Sequence, residues 1–358
     1  MKSVVRILFF LSGMLAVSGC GTYRRVGLSP ARAKEVESES VQLRYALSAV
    51  VEEKILALDP EHVTDAEIRG VLAGAPAPRM MLIHGGLESV FKHMVSFGEF
   101  LIGMGYPGQS ITNPGDGTYT FSCLESADMI AGIAAWYYEK ESLRPMIVGH
   151  SQGGMQAIKV LHRLNGVYST NLTVWNPLTW KSENRFEITD PLTGRPRSVV
   201  GLKISYASTA CAGGLTRLLP NQWDVIGKLR AIPNSVEEFT GFYNGPDWKG
   251  GDNLGFGPAN HSHALGTARV RNVQLPSEYE HSKIPDTRHL LQSQPMMDWI
   301  NAYRPADVVF DAPTLEATFT GDSRHILWAA DVWFSIKKHW VLELQNLIRA
   351  RRAAQHVR

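Results

Sequence analysis

Pro145-Met146-Ile147-Val148-Gly149-His150-Ser151-Gln152-Gly153-Gly154 is the stretch on which the reading of this chain turns. A short apolar run ends in glycine, a serine follows two positions later, and two more glycines open a segment, 152–164, with apolar residues at helical spacing. A buried strand that turns sharply into a helix needs this pattern. Side chains two positions before and after the serine would collide across so tight a turn, so glycine stands at both, and Gly154 lets the helix approach the strand closely. The strain of the turn lifts the serine hydroxyl above the sheet. A glycine-rich turn without chemistry is the plainer account, and the strand and amphipathic helix on either side count against it.

Outward from this turn, Met80-Met81-Leu82-Ile83 is a second wholly apolar run, as a buried parallel strand would be, and His84-Gly85-Gly86 follows it. Residues 239–243 and 270–275 have strand composition, and 100–104 and 172–175 read as further strands. Residues 122–140 carry Leu124, Ala127, Ile130, Ile133, Ala134 and Tyr137 at helical spacing. Thr64-Asp65-Ala66-Glu67 is a capping-box pattern opening a short helix. Alternation of strand and helix from Met80 onward predicts an α/β domain over 41–358, with a mostly parallel sheet covered by helices on both faces. Residues 178–235 break that alternation and read as a lid- or cap-like insertion, with a hairpin across 186–200. Residues 325–350 form an aromatic helical segment. It either packs on the sheet or acts as an amphipathic element over the site or against a bilayer.

A serine hydroxyl needs a base to become a nucleophile, and the tetrahedral intermediate it forms needs hydrogen-bond donors for its oxyanion. The backbone N–H of Gln152 and one from the loop after 80–83 are the candidate donors; Gly86 is preferred there and Leu87 is second. His84, which precedes the serine, reads as an organiser of that loop. With these residues in place the chain resembles the α/β-hydrolase fold family. Residues 83–86 match its oxyanion loop, 149–153 its nucleophile elbow and 105–110 its glycine-containing loop. The resemblance runs from about residue 78 to 303 and departs before 78, where the usual leading antiparallel strands are not legible.

The family order of nucleophile, acid and histidine implies partners downstream of Ser151. His281 lies just beyond the strand at 270–275 and resembles the family's base position; His263 and His325 are the alternatives. Asp247 follows the strand at 239–243 and fits the family's acid, and Asp252 remains an alternative because Gly250 and Gly251 can bend the loop back. The resemblance implies a serine hydrolase that cleaves a small-molecule or lipid carboxylic ester through an acyl-enzyme. A transacylase or peptidase on the same triad, and a non-catalytic envelope or lipid-binding lipoprotein, are the competing functions. No cofactor is expected, since no G-x-G-x-x-G run occurs. His261, His263 and Asp252 form too loose a pattern to claim a metal.

With 44% hydrophobic residues, 13 Phe, 11 Tyr and 9 Trp, the composition excludes a disordered chain. A net charge of +2 with no basic block in the body gives no footprint for nucleic acid. Lys2, Arg6 and the apolar run 7–17 read as a signal peptide over 1–19. Leu15-Ala16-Val17-Ser18-Gly19-Cys20 resembles a bacterial lipoprotein signal, which implies a lipidated Cys20 at the start of the mature chain. Gly21 in place of Asp implies an outer-membrane location facing the periplasm. Residues 20–40 then read as a polar tether. Cys123 and Cys211 are either a disulfide or two buried thiols.

Overall fold

Residues 25–39, 47–86, 88–213, 220–225, 227–245, 247, 261–305 and 317–356 are described by a computed structural model. In chain order the main elements are α1 (Pro30–Glu39), α2 (Ala49–Leu56), α3 (Asp65–Gly70), β1 (Met80–His84), α4 (Glu88–Gly103), β2 (Thr120–Ser122), α5 (Ala127–Glu141), β3 (Met146–His150) and α6 (Gln152–Leu164). They continue with β4 (Ile204–Ala210), β5 (Val236–Asn244), β6 (Arg269–Leu275), α7 (Gln294–Ala302) and α8 (Ile326–His356).

The six strands form one sheet in the order β6-β5-β4-β3-β1-β2, every neighbouring pair parallel. β1 and β3 lie side by side near its centre and are buried from end to end, which is why they carry no polar alternation. Their side chains still divide by the two-residue period. Met80, Leu82, Met146 and Val148 face a core shared with α4, α7 and α8; Met81, Ile83 and Ile147 face one shared with α5 and α6. This is the α/β-hydrolase topology: a parallel sheet with helices on both faces.

α8 fills one face. Trp328 meets Phe97 at 4.6 Å between ring centroids and Trp340 meets Tyr106 at 5.0 Å. The indole N–H groups of Trp333 and Trp340 donate to the Asn301 side-chain oxygen and the Pro76 carbonyl, at 2.8 and 2.9 Å. The aromatic segment is therefore core, and the indole N–H groups of Trp333 and Trp340 are satisfied within it, as buried tryptophans require. No helix among the described residues is long and apolar enough to cross a membrane.

Four expectations are corrected. Residues 204–210, assigned to an insertion, are β4, a fully buried strand between β3 and β5. Ser205, Ser208 and Thr209 disguise it, and the Ser205 hydroxyl is satisfied by donating to the Arg144 carbonyl at 3.0 Å. What stands outside the sheet is smaller: a ladder pairing Trp175–Asn176 with Lys181–Ser182, and the expected hairpin, Glu187–Thr189 against Pro196–Ser198. The strand expected at 172–175 is only the start of that ladder. Residues 100–103 complete α4 and Met104 follows in the turn at its end; the buried Val90, Met94, Phe97, Phe100, Leu101 and Met104 keep a helical period. Part of the expected tether is α1, with Ala33 buried among side chains of the α5–α6 core. The capping box at Thr64 and Glu67 is present as expected.

Candidate active site

Ser151 joins β3 to α6 with φ 55° and ψ −123°, a conformation that costs a non-glycine residue free energy and survives where neighbours over-determine it. Here they do. A Cβ at Gly149 would lie 2.5 Å from the Gly153 carbonyl oxygen, and one at Gly153 would lie 2.2 Å from that of Ile83. A Cβ at Gly154 would meet that of Ala212 at 2.8 Å. The Ser151 N–H is anchored to the Ala210 carbonyl at 2.8 Å, so β4 holds the turn from its other side. The elbow expected from local sterics is formed by those glycines.

His281 sits in the loop after β6, at the start of a short 3-10 turn, His281–Lys283. Its Nε2 accepts from the Ser151 hydroxyl at 2.8 Å, and its Nδ1–H donates to an Asp247 carboxylate oxygen at 2.5 Å. Asp247 follows β5 and is buried, and its N–H donates to the Asn244 carbonyl at 3.2 Å. Serine, imidazole and carboxylate thus form one line, with the geometry of a Ser–His–Asp catalytic triad. Three residues singled out from sequence come together. Asp252 lies outside the described residues, as do Leu87 and Cys20. His263 is an exposed residue of a two-residue bridge to Ala231, and His325 is buried beside Asp286 and Tyr279. Burial pushes the His325 imidazole down to about 4, so it is neutral at pH 7.

The loop after β1 reaches the serine. A Cβ at Gly85 would lie 3.1 Å from that of Ser151, so a side chain there would crowd the nucleophile. The His84 ring donates through Nδ1 to the Gly85 carbonyl at 2.7 Å, and burial lowers its pKa. It organises the loop, as expected. Gly86 is the next residue, and Gln152 heads α6 directly after Ser151.

Sequence reasoning passed over two residues here. His150 is fully buried one position before the serine, and burial holds its pKa well below the ordinary histidine value. Cys211 directly follows β4 with φ 50°, and its thiol lies with ligand atoms of Asp247 and His281 inside a 4.8 Å group. Because His281 and Asp247 already share a 2.5 Å hydrogen bond, that group is arranged for proton transfer rather than chelation. Cys123 and Cys211 are both buried thiols, so the disulfide alternative is overturned.

A separate cavity of about 430 Å³ lies at the other end of the sheet, against Glu238 of β5 and Arg269 of β6. Several of its charges are paired, Lys338 with Glu61 and Glu238, Arg269 with Glu238, and Arg271 with Asp331 behind it. It plays no part at Ser151. Comparison with protein-family models finds no match for the chain, and comparison with curated proteins finds none.

Proposed function

We propose that this protein is a serine hydrolase that cleaves a carboxylic ester of a small molecule or lipid through an acyl-enzyme. The observation that carries the reading is the imidazole of His281 held between Ser151 at 2.8 Å and Asp247 at 2.5 Å. In this reading Ser151 Oγ attacks the ester carbonyl while His281 Nε2 takes its proton. Asp247 keeps the proton on Nδ1, which leaves Nε2 free to accept, and stabilises the imidazolium that forms. The N–H groups of Gln152 and Gly86 receive the developing oxyanion. His281 then protonates the departing alkoxide. In the second half the same imidazole deprotonates a water that attacks the acyl-enzyme, releasing the acid and restoring Ser151.

Steady-state hydrolysis of p-nitrophenyl esters of increasing acyl length, by the protein and by Ser151→Ala of equal thermal midpoint, tests the proposal. Turnover that needs Ser151 supports it. Preference for an amide, or for an added alcohol or amine over water as acyl acceptor, moves the assignment to a peptidase or a transacylase. A folded protein without turnover or acylation contradicts it.

The proposal extends to location. Residues 15–20 support cleavage before Cys20 and lipidation of that cysteine, anchoring the enzyme in a bacterial outer membrane facing the periplasm. Intact mass of the membrane fraction tests this; an unmodified mature N-terminus beyond residue 20 contradicts it.

A further inference from the structure

The base of the triad is carried by a loop, and its backbone carbonyls are gripped by side chains from three other elements. Asn244, the last residue of β5, donates through Nδ2 to the Tyr279 carbonyl at 2.8 Å. His150, the last residue of β3, donates through Nε2 to the carbonyl of His281 itself at 2.6 Å. His93 of α4 donates through Nδ1 to the Ser282 carbonyl at 2.7 Å. Each donor comes from an element that also bears on another part of the site. β5 leads to Asp247, β3 leads to Ser151, and α4 follows the glycine loop after β1.

The middle bond closes a ring. His150 is joined to Ser151 by a peptide bond, its imidazole holds the main chain of His281, and the His281 imidazole returns to the Ser151 hydroxyl at 2.8 Å. Both ends of the proton-transfer bond are therefore tied to one rigid strand end, at a position where the loop alone would leave the base free to drift. His150 suits this task for three reasons. It is fully buried, so bulk water does not compete for its N–H. Its flat ring lies 5.1 Å from that of His281, limiting movement of either. As a neutral donor it adds no positive charge beside an imidazole that must itself become charged, and burial together with His281 keeps it neutral.

We propose that His150 is a positioning residue: the hydrogen bond from its Nε2 to the His281 carbonyl sets the base at proton-transfer distance from Ser151. Asn244 and His93 hold the flanking carbonyls in the same loop. The inference rests on the triad reading above.

Three substitutions in the full chain separate this role from simple packing. His150→Gln places an amide N–H near the imidazole Nε2 position. His150→Asn keeps a small polar donor that falls short of the carbonyl, and His150→Phe keeps a ring without a donor. Each is measured for kcat, KM and thermal midpoint. Each is also measured for the downfield proton resonance of the His281–Asp247 hydrogen bond, which needs no turnover. A misplacement on the order of 1 Å costs roughly 100-fold, so His150→Asn and His150→Phe are expected to lose about 10–100-fold in kcat with KM within about two-fold. Their downfield resonance is expected to shift or vanish. His150→Gln is expected to recover most of both.

Asn and Gln variants that behave alike, or a Phe variant with wild-type kcat and resonance, overturn the inference. Should the Phe variant fail to fold, the Asn–Gln pair decides alone. A wild-type protein without ester turnover, whose resonance moves in His150→Asn and not in His150→Gln, removes the proposed function and leaves the positioning role standing.

Discussion

Lys337 lies in α8, 1% exposed, with its Nζ donating to the Val63 and Asn301 carbonyls at 3.0 and 2.9 Å. Among the described residues it makes no ion pair. Burial, helped by the nearby Arg304 charge and opposed by Asp65 and Glu67, lowers its pKa from 10.5 to about 7. In the unfolded chain the same group titrates near its ordinary value. Between pH 7 and 10.5 the unfolded chain therefore holds a proton that the folded one has released, and this residue makes stability rise with pH across that window. Below pH 7 both states are protonated and the whole penalty is present. At about 1.4 kcal/mol per pK unit, the penalty is on the order of 5 kcal/mol.

Replacing Lys337 by Met removes that penalty and strands two buried carbonyls at about 1 kcal/mol each, although the Asn301 carbonyl keeps Arg304 as a donor at 3.3 Å. Lys337→Met is thus expected to stabilise the protein by roughly 3 kcal/mol at pH 6 and to destabilise it by roughly 1–2 kcal/mol at pH 10, with the sign changing between. Urea denaturation of both proteins across that pH range reads the difference from the midpoints at constant m. A Met variant less stable than wild type at pH 6, or a difference that does not change with pH, refutes the reasoning.

Asp247→Asn presents an amide in place of the acceptor for Nδ1–H and favours the imidazole tautomer that cannot act as base; a fall in kcat of up to about 10⁴-fold is expected, against a few-fold for Asp252→Asn. Paired steady-state kinetics test this, and the reverse ranking moves the acid to Asp252. His281→Ala is expected to cost nearly as much as Ser151→Ala, with the double variant little worse than either, since the triad acts as a unit. Additive losses in that cycle contradict the arrangement. Gly153→Ala drives a methyl group to 2.2 Å from the Ile83 carbonyl oxygen, so α6 must move off β1. A loss of about 1–3 kcal/mol in stability, together with most of the activity, is expected from denaturant midpoints and kinetics.

The elbow was legible because its causes are local. Gly149, Gly153 and Gly154 are demanded by close approaches within the turn and its two flanking strands. β1 and β3 were legible because strands covered on both faces read as unbroken apolar runs. β4 was hidden because Ser205, Ser208 and Thr209 look like a loop until their burial between β3 and β5 is seen. Residues 100–104 were misread because a short apolar run has no period of its own, and only the spacing back to Val90 identifies it as helix. Asp247 and His281 followed from chain order and strand context, 34 positions apart and joined only in the fold. His150 was missed for a related reason: its role is a bond to a carbonyl 131 positions away, and nothing in the spacing of residues announces such a bond. α1 escaped because its contact with the core comes from a small buried residue, Ala33, and a half-buried Val36 in a stretch otherwise mostly polar.

The central claim is that Ser151 is an activated nucleophile, and a fluorophosphonate probe reads this without knowledge of the substrate. After brief incubation of the folded protein, intact mass and peptide mapping are expected to show one adduct per chain, on Ser151. Labelling should be absent in Ser151→Ala and slowed by orders of magnitude in His281→Ala. A folded wild-type protein that stays unlabelled, or that is labelled on a different serine, contradicts the account.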